Sequence, residues 1–178
     1  PSVNFGYSET CTITVTGSMV SDTDINDPPD TMSSDAIYTF TTMADPCLAA
    51  YTPIYTIQGS GATVALTGSQ TTRGVVIGDY EGASPALRGF YIQDPIGDGN
   101  PGTSDGIFVF EGSNSNTVNL GDVVLVNGNA GESNGQSQIS VGTITKCGIG
   151  TVAPTDVVMP FTSSTFLEQY EGMLVRFP

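Results

Sequence analysis

Gly89-Phe90-Tyr91-Ile92-Gln93-Asp94 is the stretch on which the fold turns. Its side chains alternate: Phe90 and Ile92 project to one face, Tyr91 and Gln93 to the other, and Arg88 stands at its start. A repeat of two residues marks a β-strand with one face in a core. Outward from it, short apolar runs recur at residues 54–58, 70–79, 106–111, 122–129 and 136–147, divided by turn-forming sequence. Five or six strands at this spacing predict an all-β domain, a barrel or a sandwich.

The first part of the chain has its own pattern. Residues 10–20 alternate β-branched polar and apolar side chains, and residues 36–42 form the next strand candidate. Between them, Asp22, Asp24, Asp27, Asp30, Asp35 and the Pro28-Pro29 pair predict a long acidic loop, because prolines and aspartates do not sustain a ladder. Asp45-Pro46 and Thr52-Pro53 then mark a boundary near residue 45. Helical periodicity is confined to 164–171, where Ser164-Thr165 precedes Phe166-Leu167-Glu168-Gln169-Tyr170 and Gly172 follows, so one short helix is expected there. No run of about 18 apolar residues predicts a membrane span. The chain opens at Pro1 without an initiator methionine and reads as a piece, or a mature form, of something longer.

Composition narrows the chemistry. Among 178 residues, 4 Lys and Arg face 18 Asp and Glu, a formal charge of -14, so a polyanion meets a repulsive field. The chain has no His and no Trp. The commonest general base and neutral metal ligand are therefore missing, and with Lys146 the only lysine, a hydroxyl nucleophile has little to activate it. No catalytic residue is assigned. Cys11, Cys47 and Cys147 are an odd set. Cys47 and Cys147 lie at the edges of strand-like runs, where a bridge would clip the start of a domain to its last strand. Cys11 is then a free buried thiol, or its partner precedes Pro1. No CxxC or His accompanies them, which argues against zinc.

Two candidate sites stand out. In the loop 94–105, Asp94, Asp98, Asn100 and Asp105 offer hard oxygens, and the glycines let carbonyls turn inward, as a calcium site requires. The spacing is not that of an EF-hand, and the competing reading is a hairpin loop whose Asp and Asn side chains cap their own amides. The loop 22–35 invites the same calcium reading, but its prolines stiffen it. The second site is a stacking platform of Tyr80, Tyr91 and Arg88 for nucleic-acid bases. Even with Arg73, Arg88, Lys146 and Arg176 all on phosphates, about 4 charges would be neutralised against the field of the carboxylates, so such binding is expected to be weak.

The series Ile54-Tyr55-Thr56-Ile57-Gln58-Gly59, Thr72-Arg73-Gly74-Val75-Val76, Gly89-Phe90-Tyr91-Ile92-Gln93-Asp94, Ser104-Asp105-Gly106-Ile107-Phe108-Val109 and Gly121-Asp122-Val123-Val124 resembles the OB-fold-like domain of large secreted bacterial endonucleases of the ExeM and YhcR type, over about residues 53–178. Residues 1–44 resemble the C-terminal half of a bacterial Ig-like domain. The resemblance implies a five-stranded OB-like barrel at 45–178 preceded by a partial Ig-like sandwich at 1–44, with Cys11 in the position of a cysteine that pairs with an earlier strand. It also implies an extracellular, non-catalytic accessory module. Such a module would position a downstream nuclease domain of the same polypeptide and contact nucleic acid weakly at most. The alternative expectation is an extracellular structural or adhesive β-domain, a surface-fibre component with neighbouring β-domains as partners.

Overall fold

The computed structural model describes residues 3–24, 26, 29–113, 116–161, 163 and 165–178. Asp27 and Pro28 of the acidic loop and Ser164 ahead of the expected helix lie outside the described residues. The protein is all-β, in two compact units, Pro1–Leu48 and Ala49–Pro178. No helix among the described residues is long and apolar enough to cross a membrane.

In the first unit β1 (Thr10–Val15) pairs antiparallel with β2 (Ala36–Thr41), with Cys11 opposite Phe40 and Ile13 opposite Tyr38. Alternation puts the threonines of β1 on one face and Cys11, Ile13 and Val15 on the other. Among the described residues no second layer covers this two-stranded sheet within the unit, and Ile13 is 52% and Tyr38 62% exposed. The strand is shorter than its pattern predicted. At Gly17 the backbone turns into a single 3₁₀ turn, Gly17–Met19, where an added Cβ would crowd the Met32 and Ser34 carbonyl oxygens, and the Gly17 amide donates to Asp35 Oδ1 at 2.8 Å.

The second unit is built from β3 (Gly68–Tyr80), β4 (Gly89–Gln93), β5 (Gly106–Phe110), β6 (Asp122–Ser133) and β7 (Gln136–Ile149). They pair in the order β3-β4-β5-β7-β6, with β6 returning to β3, and only the β5–β7 pair is parallel. The result is a five-stranded barrel of mixed pairing. Its interior holds Val76, Phe90, Ile92, Ile107, Val109, Val124, Val126 and Ile139, each at 2% exposure or less.

Residues 54–58, expected as a strand, instead form α1 (Ile54–Gln58). Pro53 at the N-cap and Gly59, at φ 73° just past the end, bracket one helical turn. That turn brings Ile54 and Ile57, three residues apart, to the same face, and both are fully buried in the barrel core. The adjacent Gln58 donates from Nε2 to the Gly106 carbonyl at 2.6 Å, tying the plug to β5.

The helix expected over 164–171 shrinks to a 3₁₀ turn, Glu168–Tyr170, with no side-chain cap. So short a segment cannot repay helix nucleation. It leads into a strap across the barrel rim, where the Leu174 amide donates to Gln93 Oε1 at 2.8 Å and Ser104 Oγ to the Glu171 carbonyl at 2.6 Å. Two short strands, β8 (Thr155–Asp156) and β9 (Val175–Arg176), pair in parallel alongside it. Cys47 and Cys147 are disulfide-bonded and Cys11 is free, with a partly exposed side chain.

If α1 is the barrel plug, Ile57→Ala leaves a cavity and lowers the unfolding free energy by about 2–5 kcal/mol in a urea titration. A loss below about 1 kcal/mol would show that the core does not depend on it.

Candidate functional site

The pleat that sends Phe90 and Ile92 inward turns Tyr91 outward, and the β4–β5 register places it directly opposite Phe108. Their ring centroids lie 4.8 Å apart. On the β3 side, Tyr80 meets Tyr91 edge to face at 5.9 Å. The row of rings thus crosses three neighbouring strands. Two glycines make room for it: an added Cβ at Gly78 would come within 2.9 Å of the Tyr80 ring, and one at Gly89 within 2.7 Å of the Phe108 ring.

The parallel β5–β7 pair extends this face to amide side chains, with Phe108 opposite Gln138. Gln136 Nε2 donates to the Tyr91 hydroxyl at 2.6 Å, which fixes that ring. The β6–β7 hairpin closes through Asn134 and Gly135, at φ 54° and 77°, as a two-residue turn whose geometry favours this dipeptide. Two hollows flank the Tyr91–Phe108 wall. One, of about 300 Å³, is lined by Leu87, Phe108, Phe110, Asn134, Gln136 and Gln138 among others. The other, of about 270 Å³, is lined chiefly by Tyr80, Tyr91, Met173 and Leu174. No residue lining either hollow is charged.

Of the expected stacking platform, the structure brings Tyr80 and Tyr91 together and sets Arg88 elsewhere. Arg88 has φ 57°, and its guanidinium carbon lies 5.9 Å from the Phe110 ring centroid. Lys146 pairs with Asp122 at 2.9 Å and Arg176 with Asp156 at 2.7 Å. Arg73 lines a separate hollow that also contains Asp94.

In the loop 94–105 the proposed calcium ligands are engaged by the loop itself. Asp94 Oδ1 accepts the Ile96 and Gly97 amides, Asp98 Oδ1 the Asn100 amide and the Thr103 hydroxyl, and Asn100 Oδ1 the Gly102 amide. Asp105 lies beneath Gly97, its Oδ1 buried without a hydrogen bond. Burial, with Asp98 and Asp94 nearby, pushes its pKa up to about 6. Among the described residues no group of three or more carboxylates or thiols is placed to share a metal ion.

A second carboxyl cluster joins the ends of β3 and β5 to the segment leading into β6. Glu81 accepts the Thr117 and Val118 amides at 2.8–3.0 Å, and Glu111 Oε1 accepts the Thr117 hydroxyl at 2.9 Å. Burial, then the hydrogen bond to Glu81, raises the Glu111 pKa to about 7. Burial also works against the Glu81 charge, but hydrogen bonds from Glu111 and the two amides outweigh it and hold Glu81 below the usual glutamate range. The pair shares one proton, with Asp79 as a further negative neighbour. Nothing in the local sequence announces this pair, since its members meet only through the barrel register. The Asn134-Gly135 dipeptide, by contrast, was a readable hairpin signal, and it locates the amide-bearing edge of the ring face.

No protein-family model, curated protein or solved structure matches the chain.

Two outcomes follow from these carboxylates. Between pH 4.5 and about 7 the folded chain keeps a proton on Glu111 that the unfolded chain has lost, so stability falls as pH rises through that window. Asp105 acts in the same direction between 3.8 and about 6. Glu111→Gln should flatten the decline in melting temperature between about pH 5 and 8, and an unaltered profile would refute the shared proton. Millimolar calcium should leave the melting temperature within about 1 °C of its starting value; a larger rise would mean that the 94–105 carboxylates turn from their amides to a cation.

Proposed function

We propose that this chain is a non-catalytic accessory module of a secreted, nuclease-like multidomain protein, and that its OB-like barrel makes contact through the β4–β5 face. The observation that carries the contact surface is the Tyr80–Tyr91–Phe108 row, braced by Gln136 and bordered by two uncharged hollows. The nuclease-like setting rests on the sequence resemblance, and a nuclease domain of the same polypeptide is the partner it suggests. A non-catalytic role is supported by a chain with no His and one Lys. An extracellular setting agrees with the Cys47–Cys147 disulfide. Contact with nucleic acid is weak in this reading, because a charge of -14 opposes every phosphate and two of the four cations are paired with carboxylates.

The exposed apolar face of the β1–β2 sheet favours a second reading, an adhesive or structural β-domain. Its Ile13, Tyr38 and Phe40 lie open, and both strands of the sheet are edges able to accept a neighbour.

Duplex DNA separates the parts of this proposal. At about 0.15 M salt without divalent ions the chain should not retard a short duplex in a gel, and with magnesium or calcium it should not nick plasmid. Tight retention would overturn the electrostatic argument, and nicking would end the non-catalytic assignment. In sedimentation the accessory reading expects a monomer; concentration-dependent assembly abolished by Tyr38→Glu would favour the adhesive one.

A further inference from the structure

We propose that the β4–β5 face is a binding site for a neutral glycan chain, with the rings of Tyr80 and Tyr91 receiving sugar faces and the amides of Asn134 and Gln138 receiving sugar hydroxyls. This rests on the reading of that face as the module's contact surface and adds the chemistry of what it holds.

The argument begins with charge. In a chain carrying 18 carboxylates, the lining of two adjacent hollows contains none, and no Lys or Arg either. A polyanionic ligand would find one cation beside them, the Arg88 guanidinium 5.9 Å from the Phe110 centroid, and a strongly negative molecule around them. An uncharged ligand is indifferent to that field. A wholly apolar ligand fits poorly as well, because one wall of the larger hollow is made of Gln and Asn amides, which would lose water without gaining a partner.

A neutral saccharide satisfies both surfaces. One side of a pyranose ring is a sheet of C–H bonds that packs on an aromatic ring, while its edge carries hydroxyls that both donate and accept. Tyr80 is 50% exposed, and Phe108, though only 5% exposed, walls the neighbouring hollow together with Phe110. Asn134 and Gln138 are suited to the hydroxyls. Their amide nitrogens make only long contacts, 3.5 Å to Ser133 Oγ and 3.4 Å to Ser140 Oγ, which leaves hydrogen-bonding capacity to spare. The site is also set before a ligand arrives. Gln136 holds the Tyr91 hydroxyl, and the tight Asn134-Gly135 turn holds the Asn134 backbone at the rim, so Tyr91 and this turn lose little freedom on binding.

The test is a titration of the full chain with cellohexaose, maltohexaose, N-acetylchitohexaose and, separately, a short oligothymidylate, followed in the two-dimensional amide NMR spectrum. At least one saccharide should shift the signals of Gly78, Tyr80, Tyr91 and residues 133–138, with an affinity unchanged between about 0.05 and 0.5 M salt. Tyr91→Ala should weaken it by about tenfold or more. Tyr80→Ala, at a position exposed enough to leave the core intact, should weaken it as well, while Arg88→Ala should not. Shifts produced by oligothymidylate and by none of the saccharides would overturn the glycan assignment but leave the contact-surface reading in place. Silence of this face toward every probe would overturn both. Saccharide binding that survives Tyr80→Ala and Tyr91→Ala in folded variants would place the site elsewhere and also defeat the proposal.

Discussion

The pleat of β4 and β5 around the barrel core is the constraint from which the rest descends. Phe90 and Ile92 on one strand and Ile107 and Val109 on the other are fully buried, so the residues between them, Tyr91 and Phe108, must face outward. A slip of one residue would carry Tyr91 into the core and expose Phe90 and Ile92, and closure of the five strands leaves no edge at which such a slip could begin. The outer face is thus determined from within. Its rings stand in register because the core does, and Gly78 and Gly89 are the positions at which backbone is kept bare to admit them.

Reading by alternation recovers most of this where a strand has one buried and one partly exposed face. It identified the 89–94 strand, the outward direction of Tyr91 and the all-β class. It could not distinguish a short apolar run from one helical turn, and so 54–58 was expected as a strand. The decisive features there were the flanking Pro53 and Gly59. The opposite error occurred at 164–171, where a helical pattern was present but too short to propagate. The joining of Tyr91 to Phe108 and Gln136 could not be read from any local stretch, since it depends on the β4–β5 and β5–β7 registers. Arg88 stands at the start of the strand that carries Tyr91, which groups it with that ring in the sequence. Its left-handed backbone instead sends the guanidinium toward Phe110.

The acidic residues are distributed with the same geometric logic. Asp94, Asp98 and Asp105 occupy one loop, while Asp79, Glu81 and Glu111 gather where β3 and β5 end. These are places where loop amides are free of the ladder and donate to carboxylates: Asp94 and Asp98 accept amides of their own loop, and Glu81 accepts those of Thr117 and Val118. In each group one member exceeds the supply. Asp105 has a buried oxygen without a hydrogen bond, Glu111 shares its proton with Glu81, and both have a pKa raised toward neutrality.

That excess bears on the ring face. A carboxylate on the middle of a strand's outer surface has no loose amides to engage, because the ladder has already used them. It would have to rely on solvent, and at the positions of Tyr91 and Phe108 the neighbouring rings exclude much of it. The amide side chains of Gln136 and Gln138 carry no such cost, since a neutral amide is cheaper to desolvate than an ion and can satisfy itself against a tyrosine hydroxyl. The barrel therefore sorts its polar groups by charge, with ions where loops can solvate them and amides where only side chains can. The surface left between the acidic groups is one that an uncharged, hydroxyl-rich ligand can approach without meeting a carboxylate, with the Arg88 guanidinium over Phe110 as the cation beside it.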